Sequence, residues 1–232
     1  MTEEQRPERR TPEVTPSRPL GQAWGGDDRA GHLGFVAHEV RNPLATALWS
    51  AELLTRLAPE ERAGERGLKL AGLVARALVR LQGLVEDHLL CERLDAGGYP
   101  LRLGPVEVAA ALSAVLERLR LEPAPVVTLA PGLAGRGDRA LLERALEAVV
   151  AVVASAARDG APVRIAGEAA GGMVQLSIRG APAGSLADPV KGSMSDPSGR
   201  ALSLPLARRI AELMGGTLTA GGEGYLLVFP AA

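Results

Sequence analysis

The stretch FVAHEVRNPLA, residues 35–45, places a histidine beside a glutamate and four residues before an asparagine. Apolar residues on either side of it recur at steps of three and four. They are Leu33, Val36, Val40, Leu44, Ala47, Ala51, Leu54 and Ala58. This spacing predicts one long amphipathic helix. His38 lies about 160° around that helix from Val36 and Val40, so we expect it to face solvent.

The face that carries His38 has further features. Asn42 lies one turn after His38, and the same outer face continues through Ala45, Trp49 and Leu53. An exposed tryptophan and leucine near an exposed histidine indicate a docking surface for another protein. Pro43 has no N–H, so the carbonyl of Glu39 loses its helical donor.

The residues around His38 leave two interpretations open. Glu39 could keep one ring nitrogen of His38 protonated and leave the other nucleophilic, while Asn42 could orient a water or a phosphoryl group. The alternative is a solvent-facing histidine without chemical function. His32 and His88 are rival histidines, and we expect both to be structural.

Composition restricts the class of protein. The chain has 232 residues and a net charge of −1, which fits one or two globular domains and gives no case for a nucleic-acid-binding protein. One cysteine, Cys91, excludes an internal disulfide and favours a cytoplasmic setting. The longest uncharged apolar run, residues 148–157, is shorter than the roughly 20 residues of a membrane helix, so we expect no contact with a membrane. Residues 1–26 are rich in proline and charge, which predicts a disordered tail.

A second long helix is predicted before the segment DAGGYP, residues 95–100, whose glycines and proline end it. Its apolar stripe contains Leu70, Val74, Ala77, Leu81, Leu84, His88 and Cys91. Two helices cannot bury stripes this wide between them. Pairing two helical hairpins into a four-helix bundle would bury them, so we expect a homodimer.

The second half of the chain mixes helices with antiparallel hairpins. Helices are predicted over residues 106–121, 138–157 and 199–214. Strands are predicted over residues 126–129, 163–166, 173–178, 217–220 and 225–229. This order predicts the α+β class, with a helical hairpin followed by a two-layer α/β sandwich. The predicted divisions are a tail at 1–26, a hairpin domain at 27–99 and a second domain at 100–232.

FVAHEVRNPLA resembles the phospho-acceptor box of two-component sensor histidine kinases. The run RLQGLVEDHLLCERLDAG, residues 80–97, resembles the second helix of that family's dimerisation hairpin. PVEVAAALSAVL, DRALLERAL and LARRIAELMGGTL resemble segments of its ATP-binding domain. The resemblance covers residues 31–232. It implies that His38 is phosphorylated, and that the second domain has the fold of the histidine kinase ATPase domain.

The second domain departs from the family at its nucleotide site. The magnesium-binding asparagines of the family fall on Ala148 and Val152, and its adenine-reading aspartate falls on Gly180. Its glycine loop falls on Gly199, Ala201 and Ser203. Magnesium prefers oxygen ligands, and a lost charged hydrogen bond costs about 1.5–3 kcal/mol. We therefore expect this chain to bind no cofactor and no metal, with Mg²⁺ supplied by a partner receiver domain.

The resemblance therefore predicts a histidine phosphotransferase that moves a phosphoryl group between receiver-domain aspartates through His38, without ATP. Glu39 and Asn42 would assist the acceptor. The receiver would contact Arg41, Ala45, Trp49 and Leu53. The predicted partners are response-regulator receiver domains, with a hybrid histidine kinase as a further candidate. Three alternatives stay open: a sensor-type histidine kinase with an atypical ATP site, a scaffold without phosphoryl chemistry, and a receiver phosphatase that uses Glu39 and Asn42.

Overall fold

The computed structural model describes residues 26–157, 160–180 and 203–232, with the backbone alone at residues 26–36 and 38. The predicted tail, residues 1–26, lies almost wholly outside this range. Among the described helices, none combines the length and the apolar character that crossing a membrane requires.

The first half of the chain is a helical hairpin. Helix α1 spans Gly26–Arg56, the short α2 spans Pro59–Ala63, and α3 spans Glu65–Asp95. Proline at the first position of α2 lacks the N–H that a helix start leaves unpaired anyway. Helix α1 continues through Pro43, and it packs along α3. Both predicted long helices are therefore confirmed.

The face of α1 that contacts α3 differs from the predicted stripe. Among the side chains of α1 that the structure describes, those of Glu39, Pro43, Ala47 and Ser50 are buried, as is that of Leu57 just after the helix. Leu44, which the pattern placed at the centre of the buried stripe, is 41% exposed. The predicted stripe combined two apolar faces: α3 covers one of them, and none of the described residues covers the other.

The second half of the chain is an α/β sheet domain. Its elements are β1 (Gly104–Glu107), α4 (Val108–Leu119), β2 (Val126–Leu129), β3 (Ala134–Gly137), α5 (Arg139–Ala156), β4 (Arg164–Ala170), β5 (Met173–Arg179), α6 (Ser203–Leu213), β6 (Thr217–Gly221) and β7 (Gly224–Pro230). Five strands form one sheet in the order β2-β4-β5-β7-β6, in which only β2 and β4 pair in parallel. Strands β1 and β3 form a separate antiparallel pair. The predicted α+β class, with a helical region before an α/β sheet domain, is confirmed.

Strands β1 and β3 were not predicted, and the helix expected from residue 106 begins at Val108 instead. Strand β3 has the sequence AGRG, which contains no β-branched or aromatic residue, so tertiary pairing rather than local preference makes it a strand. Gly135 in this strand fits because a Cβ there would lie 2.1 Å from Cε2 of Phe229.

Asp138 fixes the start of α5, as its position in the sequence predicts. Its Oδ1 accepts hydrogen bonds from the backbone N–H groups of Ala140 and Leu141 at 3.0 and 3.3 Å. Its Oδ2 accepts a further bond at 2.9 Å from the backbone N–H of Arg102. One buried carboxylate therefore caps the helix and holds the segment that leads in from the hairpin.

The end of α3 belongs to the core of the second domain. Cys91 and Leu94 are 6% and 4% exposed, and they lie in the same hydrophobic cluster as the buried residues of α5 and the sheet. Leu90 and Tyr99 pack against that cluster. The helical hairpin and the sheet domain therefore share α3 as a common structural element.

Candidate functional site

The backbone of α1 places position 38 on the side of the helix away from α3. At 100° per residue, position 38 lies roughly 140–180° from the buried Pro43 and Ala47. Arg41 and Asn42 are exposed. Ala45 is also exposed, and Trp49 and Leu53 are 76% and 47% exposed. The predicted exposure of Ala45, Trp49 and Leu53 agrees with the structure, whereas the exposure of His38 and the roles of all these residues stay predictions.

Glu39 is buried in the hairpin, which the sequence did not predict. It is 2% exposed, and Nη2 of Arg80 on α3 lies 3.9 Å from its Oε2. A buried carboxylate is costly unless a charged or hydrogen-bonding group compensates it. The structure therefore links the residue next to His38 to α3, whereas the predicted pairing of Glu39 with the His38 ring stays a prediction.

Two positions of the predicted nucleotide site offer no oxygen ligand. Ala148 and Val152 on α5 are 9% and 7% exposed, and their side chains end in methyl groups. Magnesium with a bound nucleotide needs oxygen ligands, so these residues do not fit it. Within residues 26–157, 160–180 and 203–232, no cluster of three or more His, Cys, Asp or Glu side chains is placed to hold a metal ion.

Of the remaining positions of the predicted nucleotide site, the structure describes Gly180 and Ser203. Gly180 has a φ of 148°, a conformation that favours glycine, so an aspartate there would be strained. Gly199 and Ala201 lie outside the described residues. Ser203 begins α6, and its Oγ donates a 3.1 Å hydrogen bond to Oδ2 of Asp87 on α3.

A cavity of about 540 Å³ lies between α3 and α5. Ala148, Ala151 and Arg144 line it from α5, and Arg80 lines it from α3. Arg80, which lines this cavity, also lies within 4 Å of Glu39, the residue that follows His38.

Two ion pairs join α3 to the second domain. Nε and Nη2 of Arg144 donate to Oδ1 of Asp87 at 2.9 and 2.5 Å. Nε of Arg209 on α6 donates to Oδ1 of Asp95 at 2.6 Å. Burial raises the pKa of the Asp87 carboxyl above its ordinary value, and Arg144 and Ser203 oppose that rise.

Sequence reasoning missed Arg80 and the interdomain ion pairs. A signal for Asp87 was present, because it is spaced three residues after Leu84 and four before Cys91, both of which are buried. A carboxylate in an apolar stripe needs a buried partner. The partner, Arg144, lies 57 residues away in the sequence, so local patterns could not identify it.

The helical hairpin matches a known protein family. Residues 29–97 match the His Kinase A (phospho-acceptor) domain family. Sensor protein DivL of Caulobacter vibrioides is 30% identical over 206 residues, which cover 82% of this chain and 26% of that protein. The chain therefore spans about a quarter of the length of this relative.

Solved structures share the fold. Histidine kinase AdeS of Acinetobacter baumannii has a TM-score of 0.63 at 20% identity, over 84% of this chain and 95% of that one. Histidine kinase ThkA, solved in complex with the response regulator protein TrrA, has a TM-score of 0.63 at 19% identity, over 89% and 61% of the two chains. Residues 29–97 therefore match a phospho-acceptor domain family, and the fold of the chain is similar to that of solved histidine kinases.

Proposed function

We propose that this chain carries the phospho-accepting histidine of a two-component signalling system, and that His38 exchanges its phosphoryl group with the receiver domain of a response regulator. The match of residues 29–97 to the His Kinase A family carries this proposal, because it spans His38 and the hairpin. The solved complex of ThkA with its response regulator supports the class of partner.

The receiver would dock on the outer face of α1. Ala45 lies seven residues after position 38, Trp49 and Leu53 follow at steps of four, and all three are exposed. Trp49 has three-quarters of its surface in contact with solvent, which is unusual for an aromatic residue without a partner. Arg41, also exposed, would pair with acidic residues of the receiver.

The proposed chemistry at position 38 is an in-line displacement. A ring nitrogen of His38 attacks the phosphorus of an aspartyl phosphate on the receiver; the N–P bond forms as the P–O bond to aspartate breaks. The aspartate leaves as a carboxylate, and the second ring nitrogen keeps its proton. Asn42 would border the phosphoryl group, and Glu39 would orient the acceptor from its buried position. The receiver would bring the Mg²⁺ that offsets charge on the transferring group.

The source of the phosphoryl group has two candidates. Similarity to sensor histidine kinases favours ATP as the phosphoryl donor over a transfer without ATP. The specific observation that favours transfer from receivers is the absence of oxygen ligands at Ala148 and Val152, together with the strained conformation that an aspartate would adopt at position 180.

One labelling experiment tests both candidates. The full chain would be incubated with radiolabelled MgATP in one arm, and in the other with a receiver domain that carries a radiolabelled aspartyl phosphate and no nucleotide. Wild-type protein should gain acid-labile label, and His38→Ala should gain none. His32→Ala, a change of the same type on the same helix, should behave as wild type.

The arm in which label appears identifies the donor. Label from MgATP that depends on His38 would establish a kinase and contradict ATP-free transfer. Label on His38→Ala, or no label on wild type from either donor, would contradict the proposed acceptor.

We further propose that the working form is a homodimer. Large apolar residues of the hairpin are exposed within one chain: Leu44 and Leu48 on α1, and Leu78, Val85 and Leu89 on α3. Those on α3 recur at steps of seven and four, so they form one stripe along the helix. A second hairpin would cover this stripe in a four-helix bundle.

A further inference from the structure

We infer that Arg80 on α3 is a positioning residue for the acceptor at position 38, and that it acts through the buried carboxylate of Glu39. The role assigned to Arg80 rests on the proposed function, since it concerns the same phosphoryl transfer. It adds a residue of the second long helix on which the rate of that transfer depends.

Glu39 occupies a position of α1 where the neighbouring positions hold small or apolar residues. The buried residues of this helix recur at steps of four, four and three: Glu39, Pro43, Ala47 and Ser50. This spacing places them in one line along the helix, and α1 packs along α3. Because Glu39 is 2% exposed, the carboxylate next to position 38 lies in the seam between the two helices and not in water.

Arg80 supplies a positive charge at this position of the seam. Its Nη2 lies 3.9 Å from Oε2 of Glu39, and its side chain is 33% exposed. This separation is longer than a hydrogen bond, so the link is an attraction between charges, and burial of Glu39 limits its screening by salt. A buried carboxylate that loses a nearby cation is strongly unfavourable, so Arg80 stabilises the buried arrangement of Glu39.

The ion pair also affects how α1 is turned at the acceptor. Successive residues of a helix are 100° apart, so holding Glu39 toward α3 sets the direction in which the preceding residue leaves the helix axis. A polar or charged residue in a helical seam fixes the register of the two helices, because few arrangements give it a partner. Arg80 therefore contributes to the orientation of position 38 from the opposite helix.

The charge of Glu39 has a use in the proposed transfer. A ring nitrogen of His38 forms the N–P bond with its lone pair, and the electron pair of the breaking P–O bond leaves with the donor oxygen. The imidazole ring gains positive charge in this step, while its second nitrogen keeps its proton. A carboxylate held one residue away stabilises that charge. Without Arg80 the carboxylate is no longer held in place, so the transfer should slow while donor binding is unaffected.

The test measures the rate at which radiolabel enters His38 over a range of donor concentrations, with the donor that labels the wild-type chain. Arg80→Gln should lower the maximal rate by about tenfold or more, which is part of the roughly 10²–10⁴-fold that a positioned acid–base group contributes. The donor concentration at half-maximal rate should stay within about twofold of wild type. Arg80→Lys keeps the positive charge, so it should recover most of the wild-type rate.

Arg76→Gln is the matched control for Arg80→Gln. Arg76 is exposed one turn earlier on α3, and it lines the same cavity as Arg80. A change of charge in the cavity alone would therefore affect both variants, whereas the loss of the partner of Glu39 affects only Arg80→Gln. We expect Arg76→Gln to behave as wild type.

A double-mutant cycle separates action through Glu39 from an independent effect of Arg80. Glu39→Gln should lower the maximal rate, and adding Arg80→Gln should cause no further loss, because the charge that Arg80 holds is already gone. The double variant contains no buried carboxylate without a cation, so it folds and answers the question if urea denaturation shows that Arg80→Gln alone reduces the folded fraction.

The outcomes distinguish the role of Arg80 from the proposed function. A wild-type chain that gains no label contradicts the proposed function, and the role of Arg80 with it. Labelled wild type together with an unchanged rate in Arg80→Gln overturns the role of Arg80 alone. So does an equal loss in Arg80→Lys and Arg80→Gln, or a loss from Arg80→Gln that is the same with and without Glu39→Gln. A raised half-maximal donor concentration at an unchanged maximal rate would assign Arg80 to donor binding instead.

Discussion

Replacing Trp49 with alanine should weaken binding of a receiver domain without harming the fold. A tryptophan side chain buries roughly 150–250 Å² in an interface, and Trp49 is 76% exposed and available to a partner. At about 25 cal/mol per Å², burial of the exposed three-quarters of this area would contribute at most about 3–5 kcal/mol. Association recovers only part of this, so we expect a loss of about 1–2 kcal/mol, or roughly a 5- to 30-fold rise in Kd.

The measurement is a titration of the full chain with a receiver domain that exchanges phosphoryl groups with it. Trp49→Ala is compared with Val126→Ala, which truncates another exposed apolar side chain, 51% exposed, on β2 of the second domain. The control should bind as wild type does. Both variants should keep the wild-type free energy of unfolding to within about 0.5 kcal/mol, because both sites are exposed. Equal affinity of Trp49→Ala and wild type would refute the proposed docking face.

Three further predictions concern assembly and stability. Leu89→Arg should convert the proposed dimer to monomers in light scattering, whereas Val126→Arg should leave the mass unchanged; a dimer in both would exclude the stripe on α3. Asp138→Ala should lower the free energy of unfolding in urea by about 1–3 kcal/mol, since it removes a helix cap and leaves the N–H of Arg102 without its acceptor, and an equal loss in Asp138→Asn would argue against capping. Burial, aided by Asp95, raises the pKa of the Cys91 thiol from 9.0 to about 12, so the unfolded chain loses this proton first as pH rises. Stability should therefore fall above pH 9.0 by about 1.4 kcal/mol per pH unit more in wild type than in Cys91→Ala, and parallel pH profiles would contradict this.

Local patterns predicted the elements that local chemistry determines. The helix after Asp138 could be predicted because the capping residue and the apolar period of α5 lie within one segment. The strand AGRG at residues 134–137 could not be predicted in this way. It forms by pairing with β1, and Gly135 leaves space for the ring of Phe229.

Some features of the candidate site also followed from local sequence patterns, and others did not. Exposure of Trp49 and Leu53 agrees with the outer face that the helical period predicted for them. Burial of Glu39 did not follow, because the predicted stripe counted apolar residues and Arg80 compensates the carboxylate from another helix. Arg144 and Arg209 are bound by residues 57 and 114 positions away, a separation that one sequence does not reveal.

Sharing of α3 between two parts of the molecule limits how the protein can be divided for study. A fragment of residues 100–232 would lack Cys91 and Leu94, whose side chains help to fill its interior, and would lack both aspartates that neutralise Arg144 and Arg209. Such a fragment would present an apolar gap flanked by two uncompensated guanidinium groups, and we expect it to aggregate. Truncation in the loop after α3, where the sequence predicts a domain boundary, therefore separates segments that share one hydrophobic core.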